Sequence, residues 1–104
     1  MTALTFDKGG GRHVLAPAMP GSAVRVVSLA LTAKVHSAVS FYSHNPDDDA
    51  WVLIAGTFYL EIGAPLVLPW VGNGWFETMH GDELVIELDA QAVVGGVATF
   101  GGAP

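Results

Sequence analysis

The feature that most constrains the fold of this chain is the alternation of apolar residues with small or polar ones. The segments 24–33, 37–43 and 84–90 each alternate with a period of two residues. Such alternation is typical of a β-strand with one buried face, whereas an amphipathic helix places apolar residues three and four positions apart. No window combines that helical spacing with capping residues, so the sequence predicts an all-β chain. In the segment 24–33, one face is expected to contain Val27, Leu29, Leu31 and Ala33, and the other Val26, Ser28, Ala30 and Thr32.

Turn-forming residues divide the chain into about seven to eight short strands. The stretches 44–49, 72–74 and 80–83 are rich in Gly, Asn, Asp or Pro, which supply the backbone conformations and local hydrogen bonds of turns. Proline cannot donate a hydrogen bond to a sheet, so the run from Pro65 to Pro69 is expected at a sheet edge. Short strands joined by turns favour a β-sandwich or a β-barrel.

The first 23 residues have a different composition from the rest. Three consecutive glycines occupy positions 9–11, prolines occupy positions 17 and 20, and the only apolar alternation runs from Ala3 to Phe6. Such a segment cannot build a core of its own and stays mobile unless a partner orders it. We therefore expect an extended N-terminal arm over residues 1–23 and a β-sandwich domain over residues 24–104.

Charged residues are scarce. They make up 13% of the 104 residues, while hydrophobic residues make up 51%. A soluble domain carries about 25% charged residues on average. A small monomer needs a charged surface to stay dispersed, so this deficit indicates that part of the surface is covered by a partner or by copies of the chain.

The charges are also distributed unevenly. All four basic residues lie within residues 8–34, whereas nine of the ten acidic residues lie from Asp47 onward. Nucleic-acid binding depends on lysine and arginine side chains that displace the counterions of the phosphates. We therefore expect no nucleic-acid ligand.

Other classes of protein are disfavoured by what the sequence lacks. No uncharged apolar stretch approaches the length of a membrane helix, so no membrane association is expected. The N-terminal residues lack the basic and apolar segments of a secretory signal peptide. The chain contains no cysteine, which excludes disulfides and thiolate metal sites.

Residues that could carry chemistry do not form a recognisable pattern. The four histidines have no metal-ligand spacing, and the run Asp47–Asp49 lacks the alternating ligands of a calcium loop. No GxSxG motif is present to mark a serine nucleophile. We therefore predict no catalytic residue, no metal site and no cofactor, and we interpret His36, His44 and His80 as turn or surface residues.

The tryptophans allow three interpretations. Trp51, Trp70 and Trp75 could belong to the core, to the centre of an oligomer contact or to a platform for a sugar, because tryptophan is enriched in all three settings. The hypothesis adopted for the second half of the chain is an oligomer interface formed by Trp70, Trp75 and Phe76.

Several motifs resemble those of small β-sandwich virion proteins from tailed bacteriophages and prophages, of the capsid decoration or minor capsid type. They are VRVVSLALTA at 24–33, LVLP followed by an aromatic at 66–70, GNGWFETMHGDELVIEL at 72–88 and VGG at 94–96. The resemblance implies a jelly-roll or tumour-necrosis-factor-like (TNF-like) sandwich. It also implies a homotrimer that binds the major capsid protein on the outer capsid surface. The loop at 44–49 and the long N-terminal arm depart from the pattern.

The N-terminal arm is the expected docking element for the capsid. The candidate contact residues are Phe6, Lys8 and Arg12 of the arm, helped by Arg25 at the start of the β-sandwich domain. The alternative hypothesis is a tail-tip or fibre module that binds host carbohydrate through its tryptophans.

Overall fold

The computed structural model describes residues 1–103, and all of the regular structure in this range is β-strand. Seven strands follow one another: β1 (Thr2–Ala16), β2 (Ala23–Ala33), β3 (Ser37–Asn45), β4 (Ala50–Leu60), β5 (Pro65–Leu68), β6 (Phe76–Glu77) and β7 (Glu83–Ala103). The predicted all-β class is confirmed. The strands are not uniformly short, since β1 has 15 residues and β7 has 21.

Strand β7 lies at the centre of the antiparallel sheet. Strand β1 pairs with one edge of β7 over nearly its whole length. On the other edge, β2 pairs with residues 94–103 and β3 pairs with residues 83–88. Strands β5 and β6 then extend the sheet beyond β2, and β4 extends it beyond β3.

The long strands change direction at one level of the sheet. The register of β1 shifts between Gly9 and Gly11, the pairing of β7 is interrupted after Leu88, and residues 34–36 separate β2 from β3. The sheet therefore curls into two layers. The first layer contains β3, β4, the C-terminal half of β1 and the N-terminal half of β7. The second layer contains β2, β5, β6, the N-terminal half of β1 and the C-terminal half of β7. The thickness of 18 Å fits two sheets about 10 Å apart with their outward side chains.

Gly10 allows the two central strands to bend together. A Cβ atom at this position would lie 2.6 Å from the carbonyl oxygen of Asp89 and 2.7 Å from that of Ala90. Both oxygens belong to the backbone of β7, which cannot move aside as a flexible side chain can. The bend therefore requires glycine at position 10.

Residues 2–16 belong to the sheet, which corrects the expectation of a mobile arm outside the β domain. Phe6 has an exposed fraction of only 5%, and Leu15 and Ala16 at the end of β1 are also buried. The glycines at 9–11 are part of β1, where Gly10 serves close backbone packing at the bend, and they are not a flexible linker. Their composition resembles that of a linker, so the sequence alone suggested the wrong role.

The hydrophobic core lies between the two layers. The ring centroid of Phe41 in β3 is 6.5 Å from that of Phe58 in β4 and 5.0 Å from that of Phe76 in β6. Since β6 belongs to the second layer, these rings join the layers. Burying a side chain of this size contributes roughly 1.5–3 kcal/mol. Other large members of the core are Phe6, Leu15, Val24, Val26, Leu29, Leu31, Val39, Leu84, Ile86, Leu88, Val94 and Phe100.

A β-bulge in β2 changes the predicted faces of that strand. The register shifts between Val26 and Ser28, so Val26 faces the core together with Leu29 and Leu31. Val27 is buried but lies outside the core cluster. The predicted placement of Val26 opposite Leu29 is wrong, because the extra residue of a bulge shifts a period-two pattern by one position.

A buried polar cluster connects the loop 78–82 with both layers. Ser43 in β3 donates its hydroxyl hydrogen to Asp82 Oδ2 at 2.7 Å, and Thr78 Oγ1 accepts the N–H of Val24 in β2 at 2.8 Å. Asp82 is buried, and a buried polar group without a partner is costly. These hydrogen bonds therefore hold the loop in one position between the layers.

The close approach at Gly10 leads to a stability prediction. Replacing Gly10 by Ala should lower the free energy of unfolding by about 1–3 kcal/mol, because the strands must separate to admit the methyl group. The matched control is Gly9→Ala, whose Cβ atom would meet nothing closer than 3.9 Å. Urea denaturation measures both. Equal unfolding midpoints for the two variants would contradict the role given to Gly10.

Candidate interaction surface

The segment 62–76 contains no charged side chain and runs along the β2 edge of the second layer. It includes β5, the loop from Pro69 to Trp75, which we name the tryptophan loop, and the first residue of β6. The exposed fraction is 59% for Trp70 and 44% for Trp75. Two large aromatic side chains are therefore presented to solvent from one short loop.

The tryptophan loop is fixed to the sheet by hydrogen bonds. The N–H groups of Val71 and Trp75 donate to the carbonyl oxygens of Val27 and Val26, at 2.9 Å and 2.8 Å. The indole N–H of Trp75 donates to the carbonyl oxygen of Pro69 at 2.7 Å. A partner that binds this loop therefore has little backbone entropy to remove.

Gly74 explains the Gly-Asn-Gly sequence of the loop. Its φ angle of 81° lies in the left-handed region, which favours glycine. A Cβ atom at Gly74 would also clash with the Arg25 side chain. The loop thus packs directly on β2.

The outer side of the second layer is almost free of charge. Pairing places Val67 of β5, Ala30 of β2, Val97 of β7 and Thr5 of β1 in one row across the sheet. The neighbouring rows add Ala3, Ser28, Thr32, Pro65, Gly95 and Thr99, and we name these ten residues the uncharged face. Its flanks carry two ion pairs. On one flank Asp7 accepts a hydrogen bond from Lys34 Nζ at 2.9 Å, and on the other Arg25 Nη2 lies 3.6 Å from Glu77 Oε1.

The uncharged face and the tryptophan loop adjoin each other, because β5 carries Val67 and leads into Pro69. An extended surface of this kind is unusual for a protein that remains alone in water. The sequence contained a signal for it, namely that the outward residues of three strands are alanine, serine, threonine or valine. That signal becomes visible only when the register is known.

The residues predicted as an oligomer interface do not all lie on the surface. Trp70 and Trp75 are exposed neighbours in the tryptophan loop. Phe76 is half-buried and packs against Phe41 in the core. The hypothesis for this region therefore rests on the two tryptophans.

The residues predicted as capsid contacts are separated by the structure. Phe6 is a core residue, and Lys8 is half-buried on the same strand. Arg12 lies on the outer side of the first layer, where its Nε bonds to Glu87 Oε2. Arg25 lies on β2, with its Nη2 3.6 Å from Glu77 Oε1. The four side chains do not form one surface.

The outer side of the first layer carries an aromatic cluster that the sequence analysis missed. His44 in β3 stacks on Trp51 in β4, with ring centroids 3.8 Å apart. The guanidinium carbon of Arg12 lies 4.1 Å from the centre of the Trp51 ring. Two planar groups this close to one ring do not fit on the same side, so they enclose Trp51 from both faces. This leaves no open face of Trp51 for a sugar.

His44 also connects two carboxylates. Its Nδ1 lies 2.6 Å from Glu83 Oε1 in β7, and its Nε2 lies 2.7 Å from Asp49 Oδ1 in the β3–β4 turn. The indole N–H of Trp51 donates to the same Asp49 oxygen at 3.0 Å. His44 was expected to be a simple turn residue, but it fixes the turn to the sheet.

The protonated form of His44 is favoured at this position. Hydrogen bonds to Glu83 first, and to Asp49 second, raise the pKa of His44 above its usual value of 6.5. Hydrogen bonds from His44 first, and from Trp51 second, lower the pKa of Asp49 below 3.8. A protonated imidazole can donate to both carboxylates, whereas a neutral one can donate to only one.

An open cleft lies beside the bend. It has a volume of about 280 Å³ and is lined by residues that include His36, Tyr59, Glu61 and Asp89. His36 Nδ1 lies 2.9 Å from Glu61 Oε2, and Asp89 accepts the N–H of Ala38 at 3.0 Å. Three polar groups of the cleft, those of His36, Glu61 and Asp89, are thus engaged with one another or with the backbone.

Within residues 1–103, no three His, Cys, Asp or Glu side chains are grouped so that they could hold a metal ion. The same range includes no helix with the length and apolar character needed to cross a membrane. Comparisons with protein-family models, with curated proteins and with solved structures gave no match to this chain.

The bonds of His44 predict a pH dependence of the β3–β4 turn. The raised pKa of His44 stabilises the turn below pH 6.5, and this contribution is lost as the pH rises through the raised value. The lowered pKa of Asp49 stabilises the turn above pH 3.8, and this is lost as the pH falls through the lowered value. Amide-exchange protection of residues 45–50 should therefore be greatest between these limits.

Two variants distinguish the pH dependence caused by His44 from the general effect of pH on amide exchange. His44→Gln should abolish the loss of protection that occurs as the pH rises through the raised pKa of His44, while the exposed His36→Gln should retain it. Protection factors that do not change from acidic to alkaline pH in the unmodified protein would refute the role of His44.

Proposed function

We propose that the protein is a non-enzymatic structural component of a tailed-bacteriophage virion. In this proposal it forms a homotrimer and decorates the outer capsid surface by binding the major capsid protein. The observation that carries the proposal is the tryptophan loop, which presents two exposed indoles on an uncharged segment fixed to the sheet. Rigid aromatic side chains of this kind are typical centres of protein–protein contacts.

The motifs of the resemblance coincide with this surface. Residues 66–70 form most of β5 and the start of the tryptophan loop, and residues 72–76 complete the loop. The resemblance therefore concerns surface residues as well as core residues. It is also the basis for assigning the two-layered sheet to the jelly-roll or TNF-like type.

The net charge supports a position on the outside of the capsid. The chain carries a formal charge of −6 at pH 7. Three basic side chains are already paired with acids of the same chain, namely Arg12 with Glu87, Arg25 with Glu77 and Lys34 with Asp7. Such a surface is repelled by packaged DNA, since binding to DNA requires cations that can displace its counterions.

The free edge of β1 is the proposed contact with the capsid protein. Within residues 1–103, β1 pairs with β7 alone, so the N–H and C=O groups of its other edge are available to an added strand. Strand pairing by the Ala3–Phe6 segment thus remains the proposed docking mechanism, but the Phe6 side chain is no longer one of its contacts. The backbone would bind the capsid strand, while the Phe6 side chain stays in the core.

A tail-tip or fibre module that binds host carbohydrate is the alternative. The exposed rings of Trp70 and Trp75 favour it, because sugars stack on open aromatic faces. The two functions differ in copy number, since a capsid has many equivalent sites and a tail tip has few.

Quantitative mass spectrometry of purified virions tests the proposal. The protein should be present at a copy number of the same order as the major capsid protein. A handful of copies per particle would favour the tail module. Absence from virions would overturn both functions.

A further inference from the structure

We propose that the tryptophan loop of one copy packs against the uncharged face of a second copy. This deepens the proposed function, because it rests on the self-association included there and assigns the two surfaces that meet. The partner in this contact is the chain itself, and the capsid protein is expected at the free edge of β1.

The charge distribution identifies the partner. Two copies with a formal charge of −6 each repel one another, and this repulsion is weakest when their contact keeps the acidic side chains apart. The acids lie on the β3–β4 turn, at both ends of the segment 62–76, in the loop 78–82, on the first layer, at the bend and, in the case of Asp7, at the flank of the uncharged face. The uncharged face and the tryptophan loop are the extended regions from which they are absent.

The area required by a stable contact shows that both surfaces are needed. Four strands about 4.8 Å apart and five residues at about 3.3 Å each give the uncharged face roughly 300 Å². The exposed parts of Trp70, Trp75 and Val71 add roughly 300 Å². A standard interface buries roughly 600–1,000 Å² on each partner. Neither surface reaches this alone. Two copies that exchange loop and face come to the lower limit in one contact, whereas each copy of a trimer buries roughly 300 Å² against each of two neighbours.

Shape and composition fit a contact of loop on face. The uncharged face is built from small and β-branched side chains of a regular sheet, so it offers a flat surface without deep pockets. The tryptophan loop offers large, rigid rings held by hydrogen bonds. Each copy carries both elements, so each can cover the face of a neighbour while its own face is covered.

The first test compares two valines under the same substitution. Val97 lies in the uncharged face and is 39% exposed, while Val14 lies on the outer side of the first layer and is 53% exposed. Val97→Glu should raise the dissociation constant of the oligomer at least about tenfold, because a carboxylate would be buried without a partner. Val14→Glu should leave it unchanged. Sedimentation at micromolar concentration measures both, with circular dichroism as the control for folding.

The second test identifies the contact directly. The chain has no cysteine, so single cysteines can be introduced at chosen positions. A mixture of the Asn73→Cys and Thr5→Cys proteins should form a mixed disulfide much faster than a mixture of Asn73→Cys with Val14→Cys. Equal rates in the two mixtures would overturn the proposal, as would an unmodified protein that sediments as a monomer.

These outcomes are independent of the proposed virion role. An oligomer with the predicted disulfide supports the contact even if mass spectrometry fails to find the protein in virions. A monomer that is abundant in virions would leave the capsid role standing and overturn the contact between copies. A dimer with the predicted disulfide would support the contact and remove the proposed threefold symmetry.

Discussion

The structure depends on the close approach of β1 to the bend of β7. Strands β1 and β7 each pass through both layers, so the layers can share one core only if the two strands bend at the same level. Gly10 makes this possible because its α-carbon lies against the backbone of Asp89 and Ala90, where a methyl group has no space. Three features follow from that geometry. They are the core on either side of the bend, the uncharged face of the second layer and the aromatic cluster of the first layer.

The bend also explains how a chain with few charges separates its surfaces. Curling places the outward residues of the two layers on opposite sides of the molecule. One side carries Arg12, Glu83, Glu87 and the enclosed Trp51, where each charge has a partner. The other side carries mainly alanine, serine, threonine and valine, with the ion pairs Asp7–Lys34 and Arg25–Glu77 at its flanks. The shortage of charged residues seen in the composition is therefore concentrated on one face instead of being spread over the surface.

The sequence predicted the class of fold better than it predicted the role of individual segments. Alternation identified most of the strands and excluded helices, because the two side-chain periods differ. It did not identify β1, since its glycines resemble a linker unless the opposing backbone is known. The alternation also placed Val26 on the wrong face of β2, because a one-residue bulge exchanges the inward and outward positions on either side of it. The cluster around His44 brings together residues of four strands, a relation that no local pattern contains.

The three tryptophans show how tertiary context divides one residue type among different roles. Trp51 is enclosed by His44 and Arg12, so it stabilises the packing of β4 and leaves no face for a ligand. Trp70 and Trp75 are open, but the segment around them has only Asn73 as a polar side chain. Binding of a sugar requires several hydrogen-bonding groups beside the ring, because the hydroxyl groups lose their water on binding. An apolar protein surface has no such requirement, and this difference favours a protein as the partner of the tryptophan loop.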